Sequence, residues 1–207
     1  MQIIRISPRG FGANTYVLTE DTQTAVVIDP AQPRVESELI KLGLKAEYVL
    51  LTHCHFDHVH GAYPLQQAGA KVLCTDKEKP LFGTVADLYE MFGAARTPLR
   101  IDDVLKEGET RTLCGIEIKT LLTPGHTQGS ASYLVTAKDG GRYLFTGDTL
   151  FAGTVGRTDF PTGDVATLRA SLKRLSALEE NLPVYAGHEE ETDLETERKN
   201  NPFLLDL

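Results

Sequence analysis

No stretch of this 207-residue chain approaches the roughly 20 consecutive apolar residues of a membrane-spanning helix. A membrane partner is therefore not expected. The opening Met1–Ile6 reads as a strand and lacks a long apolar core, so no signal peptide is expected either. Cysteine is scarce. Cys54, Cys74 and Cys114 are odd in number and show no C-x-x-C spacing, which fits reduced thiols and a cytoplasmic location rather than a disulfide framework. Positive charge is also short. Lys and Arg total 21 against 29 Asp and Glu, and the net charge of −8 argues against a nucleic-acid partner, which would need basic patches for phosphate. There is no low-complexity linker and no fixed-period repeat. The length suits one domain over residues 1–207 with a sizeable core, as a monomer or homodimer.

Short apolar runs alternate with helical spacings. Ile3–Ile6, Tyr16–Thr19 and Ala25–Ile28 read as strands, Val35–Leu42 as a helix stopped by Gly43, and Tyr48–Leu51 as a buried strand. A helix over Val59–Ala68 and a strand over Lys71–Thr75 follow. Later strands are expected near Arg111–Leu113, Ile116–Leu122, Ser130–Val135, Tyr143–Phe145 and Pro183–Tyr185, with helices over Val165–Leu178 and Glu190–Asn200. Glu189-Glu190-Glu191 would begin the last of these, where carboxylates suit the helix dipole. Lys77–Ala94 has apolar residues at loosely helical spacing and reads either as a helical insert packed on the core or as a cap over a site or a dimer contact. The pattern as a whole implies an α/β fold with a largely buried sheet.

Five of the six histidines fall into one pattern. His53-x-His55-x-Asp57-His58 begins just beyond the strand Tyr48–Leu51, and His126, Asp148 and His188 follow singly, each beside a glycine and after an apolar run. A lone histidine is ordinary. Three imidazoles and a carboxylate in six positions are not, because polar groups buried at a strand end without a partner are costly. Imidazole nitrogen and carboxylate oxygen bind divalent metals directly. Seven such groups exceed the needs of one four-coordinate ion, and two ions sharing a carboxylate and a water would use them all. Zinc fits these donors, and iron or manganese also fit.

This ligand pattern resembles the metallo-β-lactamase superfamily. The phrases Thr123-Pro-Gly-His-Thr127, Gly147-Asp-Thr-Leu-Phe151, Gly156-Arg-Thr-Asp-Phe160 and Asn201-Pro-Phe203 are similar to its glyoxalase II branch, the hydroxyacylglutathione hydrolases. The resemblance implies a four-layer αββα sandwich with the metals at one edge of two sheets. It implies that His53, His55 and His126 hold one metal, that Asp57, His58 and His188 hold the other, and that Asp148 bridges them. Glyoxalase II enzymes proper carry a further helical domain for glutathione, whereas this chain ends about 19 residues after His188, so it resembles the shorter branch. Persulfide dioxygenases are similar too, and would use a single iron on the equivalents of His53, His126 and Asp148.

The implied chemistry is attack by a metal-bridging hydroxide on a small-molecule thioester such as S-lactoylglutathione, with Asp57 orienting the nucleophile. No separate general acid is evident in the sequence. A thiol leaves as thiolate without one, whereas an amine would need a proton. Lactone hydrolysis and mononuclear-iron persulfide oxidation are the alternatives. Arg157 reads either as a contact for a substrate carboxylate or as a loop-holding partner of Asp159. Asp29 reads equally as a partner for a ligand imidazole or as a turn residue, and Thr52 and Thr123 are candidates for similar support. Cys54 should point away from the ligands, and His60 should be a solvated helix residue. Gly61, Gly125, Gly147 and Gly187 should allow close backbone approach near the metals.

Overall fold

A computed structural model describes residues 1–10 and 12–207. The first sheet takes β1 (Gln2–Ile6), β2 (Thr15–Thr19), β3 (Thr24–Ile28), β4 (Lys45–Leu50), β5 (Lys71–Thr75) and β6 (Asp103–Leu105) in that order. Its first three strands pair antiparallel. The next pairs are parallel: α1 (Val35–Leu42) crosses from β3 to β4, α2 (Phe56–Val59) with α3 (Ala62–Gln67) from β4 to β5, and the long connection 76–102 from β5 to β6. The second sheet contains β7 (Thr110–Leu113), β8 (Ile116–Leu122), β9 (Ala131–Thr136) and β10 (Arg142–Gly147). After the hairpin β11 (Leu150–Phe151) and β12 (Thr154–Val155) and the helix α4 (Val165–Ser176), it adds β13 (Pro183–Ala186) and β14 (Thr192–Asp193). The helices α5 (Leu194–Asn200) and α6 (Pro202–Leu205) close the chain.

Two-residue alternation sorts the strand side chains between layers. Tyr16, Leu18, Val26, Ile28 and Leu50 face the second sheet and meet Ile116, Ile118, Tyr133, Val135 and Phe145. The intervening Val17, Val27 and Val49 face outward under Val35, Leu39 and Leu65 of the helices. On the far side, Leu134, Leu144 and Val184 pack against Leu168, Leu172 and Leu175 of α4. The result is helix, sheet, sheet, helix, the expected αββα sandwich. Strands buried on both faces explain the unbroken apolar runs of β2 and β3.

Several boundaries differ from expectation. The helix expected over Val59–Ala68 is two helices broken at His60 and Gly61. The chain there passes so close to Gln32 that a Cβ on Gly61 would sit 2.3 Å from its carbonyl oxygen. The expected helix Glu190–Asn200 begins only at Leu194, where the Asp193 side chain accepts the Thr196 N–H at 3.0 Å. Glu189 sits at φ +65°, which ends any helical path, and Thr192–Asp193 pair with β13 instead. The segment Lys77–Ala94 has two 3-10 turns, Lys79–Leu81 and Val85–Asp87, in place of an α-helix. Strand β6 and the two-residue strands β11, β12 and β14 carry no periodic signal of their own, being too short to show one.

Candidate metal centre

All seven residues of the expected ligand set lie together at one edge of the sandwich. His53, His55, Asp57 and His58 follow the C-terminal end of β4, His126 lies between β8 and β9, Asp148 follows β10, and His188 follows β13. Two trios have ligand atoms within 4.8 Å of one another: His53, His55 and His126, and Asp57, His58 and His188. Asp148 stands between them. Its Oδ1 is 3.2 Å from His58 Nε2, and its Oδ2 is 3.4 Å from His126 Nε2 and 3.5 Å from His188 Nε2. His188 Nε2 is also 3.4 Å from Asp57 Oδ2.

Hydrogen bonds on the outer side of the site assign the imidazole protons. Asp29 Oδ1 accepts the Thr52 N–H at 2.8 Å, and Oδ2 accepts the Thr52 hydroxyl at 2.6 Å and faces His58 Nδ1 at 2.9 Å. The Thr52 proton is thus committed to Asp29, so His53 Nδ1, 3.0 Å from Thr52 Oγ1, must be the donor of that pair. His126 Nδ1 donates to the Arg157 carbonyl at 2.7 Å. These bonds leave the Nε2 lone pairs of His53 and His126, and the Nε2 atom of His58, turned inward. Asp29 therefore serves the imidazoles, as one of its two readings had it, and with its oxygens so engaged it is a support rather than a ligand. A third trio, Asp29, His53 and His58, is close enough to hold an ion, but those committed oxygens argue against it.

The inward atoms lack partners. Among the described residues His53 Nε2, His55 Nε2, His58 Nε2 and Asp148 Oδ1 are buried without a hydrogen bond, the last two facing each other at 3.2 Å, and His55 Nδ1 lies 2.9 Å from His126 Nε2. Buried acceptors left this way are costly. A cation among them removes the cost, so the donor set fits a divalent metal. Burial holds the His53 imidazole well below its ordinary range, and burial together with His126 takes His55 down to about 3. Burial also opposes charge on His58, but Asp148 and Asp29 outweigh it and raise that imidazole. Burial would lift Asp148, yet His58 and His188 hold its carboxyl well below the usual range.

The supporting packing is tight. A Cβ on Gly187 would fall 2.3 Å from Asp148 Oδ1 and 2.7 Å from His58 Cε1. A Cβ on Gly147 would fall 2.5 Å from Thr52 Oγ1, and Gly125 and Gly61 likewise allow close backbone approach, to Leu168 and Gln32. Thr123 bonds Ser132 and Thr149, tying the His126 loop to the Asp148 loop instead of touching an imidazole. Cys54 points away, as expected. Its Sγ packs with Leu81 and Ala86, and burial raises its thiol pKa. His60 is not a solvated helix residue. It is half-buried at the helix break, with Nδ1 unpartnered and its ring 6.2 Å from Tyr89.

A cavity of about 410 Å³ opens onto the ligands. Its apolar wall is Phe56, Leu88, Phe92, Phe151, Val155 and Phe160, and its rim includes Arg157 and Glu189. The guanidinium of Arg157 is bonded to both Asp159 oxygens at 2.6 and 2.5 Å and lies 4.0 Å over the Phe160 ring. Leu88 and Phe92 come from the segment Lys77–Ala94, so its tip borders the site while Leu81 and Ala86 pack inside. Sequence reasoning passed over Asn14 as a support. Buried, it donates to the carbonyls of Ala186 and Glu189 at 3.1 and 3.0 Å and so brackets His188. A polar pair, Asn14 and Thr15, directly before the apolar run Tyr16–Leu18 was the available signal.

The Lactamase_B family, described as the metallo-beta-lactamase superfamily, matches residues 8–188. The chain belongs to this superfamily. Its likeness to hydroxyacylglutathione hydrolase GloC of Haemophilus influenzae is 35% identity over 211 residues, covering 99% of this chain and 98% of that one. The crystal structure of BLEG-1 B3 metallo-beta-lactamase matches with a TM-score of 0.88 and 30% identity, covering 98% of this chain and 99% of that one. TTHA1623 in a di-iron-bound form matches at a TM-score of 0.83 and 33% identity, covering 97% and 100%. Membership of the metallo-beta-lactamase superfamily places the chain among metallo-hydrolases, and its His and Asp clusters are able to bind metal.

Proposed function

We propose that the protein is a binuclear hydrolase that cleaves a thioester, S-lactoylglutathione or another hydroxyacyl thioester. The observation that carries this reading is Asp148 standing between two trios of donors whose inward atoms lack partners. His53, His55 and His126 would hold one ion, Asp57, His58 and His188 the second, and Asp148 both. Zinc suits the donors, while the di-iron relative keeps iron in play. When bound, the ions supply Lewis acidity and lower the pKa of a shared water from about 15.7 toward about 7. The similarity to GloC supports the choice of a hydroxyacyl thioester.

The chain's own residues complete the chemistry. Burial would raise Asp57, but His188 holds its carboxyl below the ordinary value. It is thus ionised at neutral pH and accepts a hydrogen bond from the attacking water. The apolar wall excludes bulk water from the acyl group. The departing thiol, with an ordinary pKa near 8.5, leaves as thiolate, so no general acid is required. Arg157 binds substrate in this reading by exchanging Asp159 for a substrate carboxylate.

Thiol release from S-lactoylglutathione, measured on protein loaded separately with zinc and with iron, tests the proposal. Turnover at about 10 per second or faster with two ions per chain is the expected result. No turnover with either metal would overturn the thioester assignment, and one iron per chain with oxygen-dependent persulfide oxidation would replace it.

A further inference from the structure

Glu78 lies just past the end of β5 and is 0% exposed. Its Oε1 accepts the Cys54 N–H at 2.7 Å, and its Oε2 accepts the Thr127 hydroxyl at 2.8 Å. Cys54 is the residue between His53 and His55, and Thr127 follows His126. One carboxylate therefore spans the two chain segments that carry the first trio, which are about 70 residues apart in sequence: His55 and His126 are separated by 71. The carboxylate's own backbone is pinned. Glu78 N–H bonds Thr75 Oγ1 at 3.0 Å, Thr75 Oγ1 donates to the Gly129 carbonyl at 2.7 Å, and a Cβ on Gly129 would fall 2.3 Å from the Glu78 nitrogen. Glu78 cannot retreat without moving the loop that bears His126.

The donors to this carboxylate, from Cys54, Thr127 and the Gly129 backbone, carry no positive charge, and burial pushes the carboxyl up. A buried anion held only by neutral donors opposes folding, and a neutral amide of the same shape would keep the Cys54 contact and reverse the one to Thr127 without the cost of a buried charge. The geometry points to Glu78 as a positioning residue for the His53, His55 and His126 trio, with its negative charge matched to the cation those histidines hold. This rests on the metal reading of the site given above. The carboxylate aligns the two segments through their backbone and side-chain donors, and the bound ion supplies the positive charge that its own shell lacks.

Glu78→Gln separates shape from charge. The glutamine oxygen still accepts the Cys54 N–H, and its amide donates to Thr127 Oγ1, whose proton turns to Ser130 Oγ at 2.7 Å. Zinc affinity is read by competition with a chromophoric chelator, and thermal stability is read on metal-free protein. The expected result is a variant that binds zinc about tenfold or more weakly than the parent while its metal-free form melts at or above the metal-free parent. An unchanged zinc affinity overturns the assignment. So does a metal-free variant that melts lower or fails to fold, because the carboxylate then serves the fold alone. A parent that binds no zinc would overturn the metal reading, and this inference with it.

Discussion

Replacing Asp29 with asparagine tests how the protons of the site are arranged. Asp29 sits at φ +48°, a conformation asparagine tolerates, so the backbone stays in place. The aspartate accepts three hydrogen bonds, two from Thr52 and one from His58. Asparagine keeps one acceptor for the Thr52 N–H and turns an NH₂ toward the Thr52 hydroxyl and His58 Nδ1. Two donors then face a donor. Relief requires His58 to move its proton to Nε2, toward Asp148 Oδ1 at 3.2 Å. It also requires the Thr52 hydroxyl to turn toward His53 Nδ1, which drives that proton to the inward Nε2 as well. Both inward lone pairs are lost in the favoured tautomers. Substitution of such supporting partners weakens metal binding about 10- to 100-fold, or about 1.4 to 2.8 kcal/mol. Chelator competition measures the affinity, and imidazole nitrogen NMR of the metal-free protein reads the tautomers. Unchanged affinity with an unchanged His53 tautomer would refute the reasoning.

Asp57→Ala and His126→Ala should each abolish turnover while circular dichroism shows a folded chain, and retained activity in either would sink the mechanism. Arg157→Ala should raise KM with kcat little changed. Its stability should move by no more than about 0.5 kcal/mol, since the side chain is exposed; a lower melting temperature with unchanged KM would assign it to the loop instead. Gly187→Ala should lower metal stoichiometry below that of the parent, because its Cβ would overlap Asp148 Oδ1, and full loading measured by metal analysis would contradict the close approach. Asp21, held down to about 2 by hydrogen bonds from Thr24 and Gln23, has a folded pKa below its ordinary 3.8. Its contribution to stability is present above the ordinary value and lost as pH falls through about 2. The melting temperature of Asp21→Asn should therefore fall less steeply than the parent's below pH 4, and parallel profiles would disprove the effect.

The candidate metal centre has two kinds of support, and they act on different halves. Asp29 with Thr52 sets the protons of His53 and His58, whereas Asn14 with Arg5 secures the loop of His188. Arg5 adds bonds to the Glu189 carbonyl at 3.0 Å and to Glu190 at 2.7 Å. Glu189, held at φ +65° between these contacts, takes a conformation rare for a residue with a side chain. The cavity wall has its own anchor. Asn201, fully buried, donates to the Thr154 carbonyl at 3.0 Å, and Glu197 accepts the Gly153 N–H at 2.9 Å, which together fasten the β11–β12 hairpin bearing Phe151 and Val155.

The cluster of candidate ligands was legible in the sequence because four of its seven members fall within six positions at the end of an apolar run. Chemistry so costly to bury announces itself locally. The strands and the α/β class were legible for a similar reason, since buried strands read as apolar runs and α4 shows its amphipathic spacing, whereas the αββα order came only from the resemblance to the superfamily. What only the tertiary structure decided lies in contacts between distant segments. Nothing local in Asn14 points to Glu189, nothing in Glu78 points to Cys54 and Thr127, and nothing in Asp29 alone distinguishes a turn residue from the acceptor of His58. The cavity wall was invisible for the same reason, because Leu88, Phe92, Phe151 and Phe160 meet only when three separate loops converge. The helix expected through His60 and Gly61 failed because propensity carries no record of Gln32 packed against that glycine. Residue type and spacing marked which side chains are able to bind metal, whereas the packing of two sheets decided which partners hold those side chains in register.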